Sequence, residues 1–257
     1  MQAMIFAAGL GTRLRPLTDN RPKALVEVAG RTLLEHTIMK LRDAGFDRIV
    51  VNIHHFGNQI IEFLSQHENF GLDIRLSDER DKLLNTGGGL KNAIPLFRQD
   101  EPVLIHNVDI VSDIDVAALY KEASLQTTTT GACLVCNSQP TKRYLLFNDQ
   151  TELRGWYNVR PEGDVGVTKG EERIEDLRRF HFTGIHVVQP SLLNDLANYL
   201  PADGDEAFSI ITFYLDECTR HRLVAYELPE GCQWEDCGRV ESLPRAAEII
   251  RGGRVRP

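Results

Sequence analysis

Gly9 and Gly11 follow the apolar run Met4–Ile5–Phe6–Ala7–Ala8 directly, and Thr12, Arg13 and then Lys23 come after them. A buried strand that feeds a glycine-rich turn delivers bare backbone N–H groups to one place, where they can hold phosphate oxygens. Two glycines one residue apart let the main chain approach a ligand with no Cβ in the way. Arg13 adds a planar fork matched to phosphate, and Lys23 a mobile point charge. Residues 1–25 carry Arg13, Arg15, Arg21 and Lys23 against the single acid Asp19, so positive charge gathers beside this turn. The chemistry this pattern suits is the gathering of phosphate groups.

The elements that must place these residues alternate strand and helix through the first half. Apolar runs at 3–7, 48–53, 73–76 and 102–106 read as strands, and the patterns at 33–44, 58–66 and 89–96 as helices. Short apolar strands separated by helices predict a mainly parallel sheet covered on both faces. Ligands in such sheets sit beyond the carboxyl ends of the strands. That rule puts 9–13, 78–89 and 107–111 on one rim. The second half is richer in strands, at 131–136, 143–148, 153–158, 179–188 and 223–228. Helices are expected at 208–218 and 240–250, and the polar stretch 161–173 reads as a mobile loop. The expected architecture is one α/β domain over 1–257. Residues 1–125 form its nucleotide-binding half, and 126–257 a sugar-sized lobe with the terminal helix.

The length of 257 residues suits such a domain, and the formal charge of −8 argues against a nucleic-acid partner. No apolar run approaches the roughly 20 residues of a membrane span. Five cysteines, an odd count, and no secretory leader point to a reducing cytoplasm. Cys133 and Cys136 have the spacing of a metal or redox pair, but on a strand they point to opposite faces. His54, His55, His106 and His181 form no ligand pattern. No repeat is present, and no hexapeptide period that would build a β-helix.

The string Gly11–Thr12–Arg13–Leu14–Arg15–Pro16–Leu17–Thr18, with Arg21–Pro22–Lys23–Ala24–Leu25 after it, resembles the hallmark of the sugar-1-phosphate nucleotidyltransferases. In that family the pattern runs Gly-x-Gly-Thr-Arg-x-x-Pro-Leu-Thr, then Pro-Lys-x-Leu. A dinucleotide fingerprint fails, because position 14 is Leu. The resemblance implies a Rossmann-like, GT-A-like mixed sheet and an enzyme that joins a nucleoside triphosphate to a sugar 1-phosphate, releasing pyrophosphate. It implies nucleotide contacts from Ala8, Gly9, Gly11, Thr12 and Arg13, with Arg13 and Lys23 as the catalytic cations. Arg13 would grip the leaving pyrophosphate, and Lys23 the attacking or the α-phosphate.

Further elements resemble the same family. Asp109 stands where the family has Gly-Asp holding Mg²⁺, although Val108 replaces the glycine. Trp234–Glu235–Asp236–Cys237–Gly238 resembles the late Trp-x-Asp-x-Gly element, whose Asp is the second metal ligand. Two carboxylates suit Mg²⁺, which takes its other oxygens from phosphates and water. The alternative for each Asp is a cap on the helix that follows. Thr86–Gly87–Gly88 resembles a stretch whose backbone touches base and ribose, and Glu79 matches an acidic position of several branches. A carboxylate there could accept the ring N–H of uracil or guanine, or be plain surface charge. Thr183–Gly184 lines up with the sugar-binding strand. The family's second lysine, within Glu-Lys-Pro, is absent; Arg178 or Arg179 stands nearby.

Within the family the wording resembles most the N-acetylmuramate 1-phosphate uridylyltransferases of peptidoglycan recycling, which implies UTP as donor. Mannose-1-phosphate guanylyltransferases and glucose-1-phosphate thymidylyltransferases are the alternatives. A catalytically silent nucleotide-sugar-binding subunit is the alternative of another class. A phosphate monoester is already largely anionic near pH 7, with a second pKa of about 6, so no protein base is required. Catalysis then reduces to alignment and charge neutralisation. The oligomeric state stays open.

Overall fold

The computed structural model describes residues 1–125 and 130–252. The expected junction of the two halves, at residue 126, lies outside the described residues.

The strands are β1 (Gln2–Phe6), β2 (Glu27–Val28), β3 (Arg31–Thr32), β4 (Arg48–Ile53), β5 (Asp73–Asp78), β6 (Val103–Asn107) and β7 (Ile110–Ser112). Then come β8 (Thr130–Asn137), β9 (Arg143–Phe147), β10 (Leu153–Asn158), β11 (Val165–Thr168), β12 (Arg178–Val188), β13 (Arg222–Glu227) and β14 (Trp234–Asp236). The helices are α1 (Leu33–Asp43), α2 (Gly57–Gln66), α3 (Asn85–Ala93), α4 (Val116–Leu125), α5 (Pro190–Asn198), α6 (Ile210–Glu217) and α7 (Leu243–Gly252).

One ten-stranded sheet runs through both halves. Its parallel side has the order β6-β1-β4-β5, with β1 between β4 and β6 in matching register. β1, β4 and β6 are almost wholly apolar, as parallel strands covered on both faces are, while the outer strand β5 alternates polar and apolar residues. β12 then pairs antiparallel with β6, β8 and β9, which welds the second half onto the first. Two apolar clusters lie on opposite faces of the sheet. Cys133 belongs to one and Cys136 to the other, so the pair is two separated, buried thiols, as strand alternation requires.

Local chemistry sets the helix ends. Thr32 caps α1 by accepting from Glu35 N–H at 3.1 Å. Gly45, at φ +90°, ends it: its N–H reaches Arg42 O and that of Phe46 reaches Leu41 O, a left-handed termination that L side chains resist. The stretch 161–173 is not wholly a loop. It contains the edge strand β11, paired with β10 from Gly155 to Asn158. Among the described residues, no helix is long and apolar enough to cross a membrane.

Candidate active site

β1, β5 and β6 all deliver their C-terminal ends to one rim, and the chain beyond β1 is fixed there by side chains. Ala7 and Ala8 N–H groups both donate to Asn52 Oδ1, at 2.7 and 3.3 Å. Gly9 and Thr12 are open to solvent. Gly11 takes φ +64°, and a Cβ there would lie 3.0 Å from both Lys23 Cβ and Thr18 Cγ2. Thr18 closes the loop by donating its hydroxyl to Gly11 O at 2.8 Å. The glycine is thus needed for a turn packed tightly on the segment that carries Lys23.

Two acids from distant parts of the chain meet beside this loop. Asp109 follows β6, and Asp236 ends β14, which pairs antiparallel with β7 so that Asp236 lies opposite Ile110. Cys237 N–H donates to Asp109 O at 2.8 Å and locks the ribbon. The two carboxyl groups are in hydrogen-bonding contact, and Lys23 Nζ donates to Asp109 Oδ2. Burial opposes ionisation of Asp109, but the Lys23 ammonium outweighs it and holds the carboxyl below its usual range. Asp236, half-buried and facing that carboxylate, is pushed up. Arg13 reaches the same place from the loop. A Cβ on Gly238 would lie 2.6 Å from Arg13 Nη2 and 2.8 Å from Asp236 Oδ1, so this glycine makes room for the guanidinium. Gly238 N–H also orients Asp236 by donating to Oδ1 at 2.7 Å.

The donor set fits a hard divalent cation. Two adjacent carboxyls, one forced upward by the other, ask for positive charge, and oxygen ligands suit Mg²⁺.

Five expected residues stand differently from the sequence reading. Glu79 is 2% exposed, and both its oxygens are taken: Oε1 accepts from Asn52 Nδ2 at 2.7 Å and Oε2 from Leu84 N at 3.1 Å. It is neither surface charge nor aimed at a base. Gly87 and Gly88 are buried within α3, not in a turn. A Cβ on Gly87 would strike the Phe208 ring at 2.3 Å, and one on Gly88 the Glu206 carbonyl at 2.1 Å. Gly87 N–H donates to Phe208 O at 2.8 Å. This run lets helix and chain touch. Thr86 extends the same contact, its Oγ1 accepting from Ile210 N at 3.0 Å. Thr183 is 1% exposed, with its hydroxyl donated to Val135 O at 2.8 Å, so it does not face a hexose. Gly184, at φ +81°, borders Asn107 Nδ2, and Trp234 Nε1 ties the ribbon to Thr183 O at 3.1 Å.

Arg178 is paired with Glu227 at 2.7 Å, and Arg179 lies over the Tyr157 ring. Asn52 was not singled out by the sequence. Its signal is one polar side chain at the carboxyl end of the buried strand Arg48–Ile53.

A model of the family described as nucleotidyl transferase matches residues 2–252. The chain belongs to the sugar-1-phosphate nucleotidyltransferases. An N-acetylmuramate alpha-1-phosphate uridylyltransferase from Neisseria meningitidis serogroup B is 43% identical over 251 residues, covering 97% of this chain and 98% of that one. The enzyme of the same name from Caulobacter vibrioides is 36% identical over 199 residues, 75% of this chain and 77% of the relative. A crystal structure of UDP-glucose pyrophosphorylase with UDP-glucose superimposes with a TM-score of 0.72 at 17% identity, covering 98% of this nucleotidyltransferase and 99% of that chain, and shares its fold.

Proposed function

We propose that the enzyme transfers a uridylyl group from UTP to the phosphate of N-acetylmuramate 1-phosphate, with Mg²⁺ held by Asp109 and Asp236. The observation that carries the reading is the convergence of Lys23, Arg13 and the two acids at the end of the glycine loop. The choice of sugar and base is supported by the likeness to the Neisseria relative across nearly the whole chain. Glu79 no longer argues for uracil or guanine, since its carboxylate is used internally.

In the reaction a sugar-phosphate oxygen bonds to the α-phosphorus of UTP, the α–β bridging bond breaks, and pyrophosphate leaves. The nucleophile is already an anion, so the protein need only bring like charges together. The loop of Ala8, Gly9, Gly11 and Thr12 would carry the triphosphate on its N–H groups, with Arg13 on the leaving pyrophosphate. Lys23, held against Asp109, is placed to neutralise charge at the α-phosphate as the fifth bond forms. Bound Mg²⁺ supplies charge neutralisation and alignment of the phosphates.

Pyrophosphate release, screened with UTP, GTP, dTTP, ATP and CTP against a panel of sugar 1-phosphates, tests the reading. UTP with N-acetylmuramate 1-phosphate is expected to give the highest kcat/KM. A clear preference for another pair overturns the substrate assignment, and no turnover with any pair overturns the reaction.

A further inference from the structure

We infer that Asn52 and Glu79 form a buried clamp that fixes the distance between the phosphate-holding loop and the glycine-rich helix α3, and so act as positioning residues for the nucleotide. The inference rests on the proposed reaction, because it gives the loop its ligand.

The clamp begins where the sheet stops. Phe6 of β1 is in register with Asn52 of β4, and beyond Phe6 the strand has no further partner on that side. The next two N–H groups, of Ala7 and Ala8, are received by Asn52 Oδ1 instead. The amide's other end donates to Glu79 Oε1 at 2.7 Å, and Glu79 Oε2 accepts from Leu84 N, the residue before α3, at 3.1 Å. Both side chains are almost wholly buried, Asn52 at 3% and Glu79 at 2% exposure. One chain of hydrogen bonds therefore runs from the loop, through two side chains, to the entry of the helix.

The direction of every bond is forced. Asn52 must present oxygen to two backbone N–H groups, so only its NH₂ can face Glu79. Leu84 also offers a donor. Glu79 thus needs two acceptor oxygens, which an ionised carboxylate has and a glutamine lacks. A buried donor left facing a donor costs its full desolvation, which is why such a relay tolerates little change. The third glycine of the run is explained as well. A Cβ on Gly89 would lie 2.7 Å from Glu79 Oε1 and 3.2 Å from Asn52 Nδ2, so α3 can lie on the clamp only without a side chain there.

This polarity gives a test that packing alone would not pass. Asn52→Asp sets two carboxylates face to face, and Glu79→Gln sets an amide donor against a donor. In the double variant the middle bond reverses: Gln at 79 donates to Asp at 52, whose other oxygen still accepts from Ala7 and Ala8, while the Gln oxygen accepts from Leu84. The net charge equals that of the wild type. Steady-state kinetics of pyrophosphate release, using whichever substrate pair the wild type turns over, are the readout, with thermal unfolding measured alongside. Each single variant is expected to lose about tenfold to a hundredfold in kcat/KM for the nucleotide, with the KM for the sugar phosphate little changed. The double variant is expected to return to within about threefold of wild type, a strong coupling between the two positions. Wild-type kinetics in either single variant overturn the clamp. So does a double variant as impaired as the product of the singles, or a loss shared equally by both substrates. A wild type that prefers another nucleotide or sugar sinks the substrate assignment and leaves the clamp to be judged by the same rescue.

Discussion

At the scale of single residues, the candidate site is a contest between two acids and two cations. Asp109 is held ionised by Lys23, and Asp236 bears the repulsion. Lys23→Met removes the charge that keeps Asp109 low, and kcat is expected to fall by about a hundredfold or more, with the fold intact by circular dichroism. Asp109→Asn should abolish Mg²⁺-dependent turnover with the fold intact, while leaving Lys23 facing an amide oxygen it can still bond. Normal Mg²⁺-dependent turnover in that variant would refute the metal assignment. Arg13 is exposed, borders the Gly238 corner and forms no ion pair among the described residues, so its loss should cost rate and little stability. For Arg13→Ala we expect kcat/KM to drop by about a hundredfold, with Tm close to wild type.

At the scale of elements, the glycine run shows how packing overrides propensity. Each glycine inside a helix costs about 1 kcal/mol relative to alanine, yet α3 carries Gly87, Gly88 and Gly89 in succession. The close approach of Phe208, Glu206 and Glu79 explains them one by one. Gly88→Ala, whose Cβ would meet a backbone carbonyl, should destabilise by about 2–3 kcal/mol in urea unfolding. Gly87→Ala meets a side chain instead, and Phe208→Leu should relieve part of its cost. The same elements show what could be read beforehand. The strands at 48–53 and 153–158 match β4 and β10, because apolar and β-branched runs bounded by turns are sufficient. The sequence singled out the loop, Lys23, Asp109 and Asp236 through their resemblance to the family's motifs, and the fold brings them together. The glycine run was not readable, since glycine ordinarily marks a turn. Glu79 read as an acid facing either a base or solvent, because burial of a carboxylate depends on donors that arrive from Asn52 and Leu84. Thr183 read as ligand-facing because strand alternation names a face and not what covers it. The three-residue strands β7 and β14 are too short to carry a period, so their pairing was invisible.

At the scale of the whole molecule, the sheet buries imidazoles that have no means of becoming charged. Burial lowers His106 to about 4, with Lys40 adding repulsion, and lowers His186 to about 3. Neither ring nitrogen of His186 has a hydrogen-bond partner among the described residues. A histidine whose folded pKa is depressed contributes stability that is fully present above its unfolded pKa of about 6.5 and lost as pH falls toward the folded value, because only the unfolded chain takes up the proton. Between pH 7 and pH 5 each of the two is expected to withdraw about 2 kcal/mol, so Tm should decline steeply across that window. His186→Phe, which removes a buried polar group beside Phe182 and Tyr214, should raise Tm at pH 7 and flatten the decline.

The β7–β14 ribbon has a consequence for when the enzyme becomes competent. A nascent polypeptide still short of Trp234 already carries the parallel strands, the loop, Lys23 and Asp109, yet it holds only one of the two acids. Biosynthesis thus completes the acid pair only when the last stretch leaves the ribosome and docks along β7.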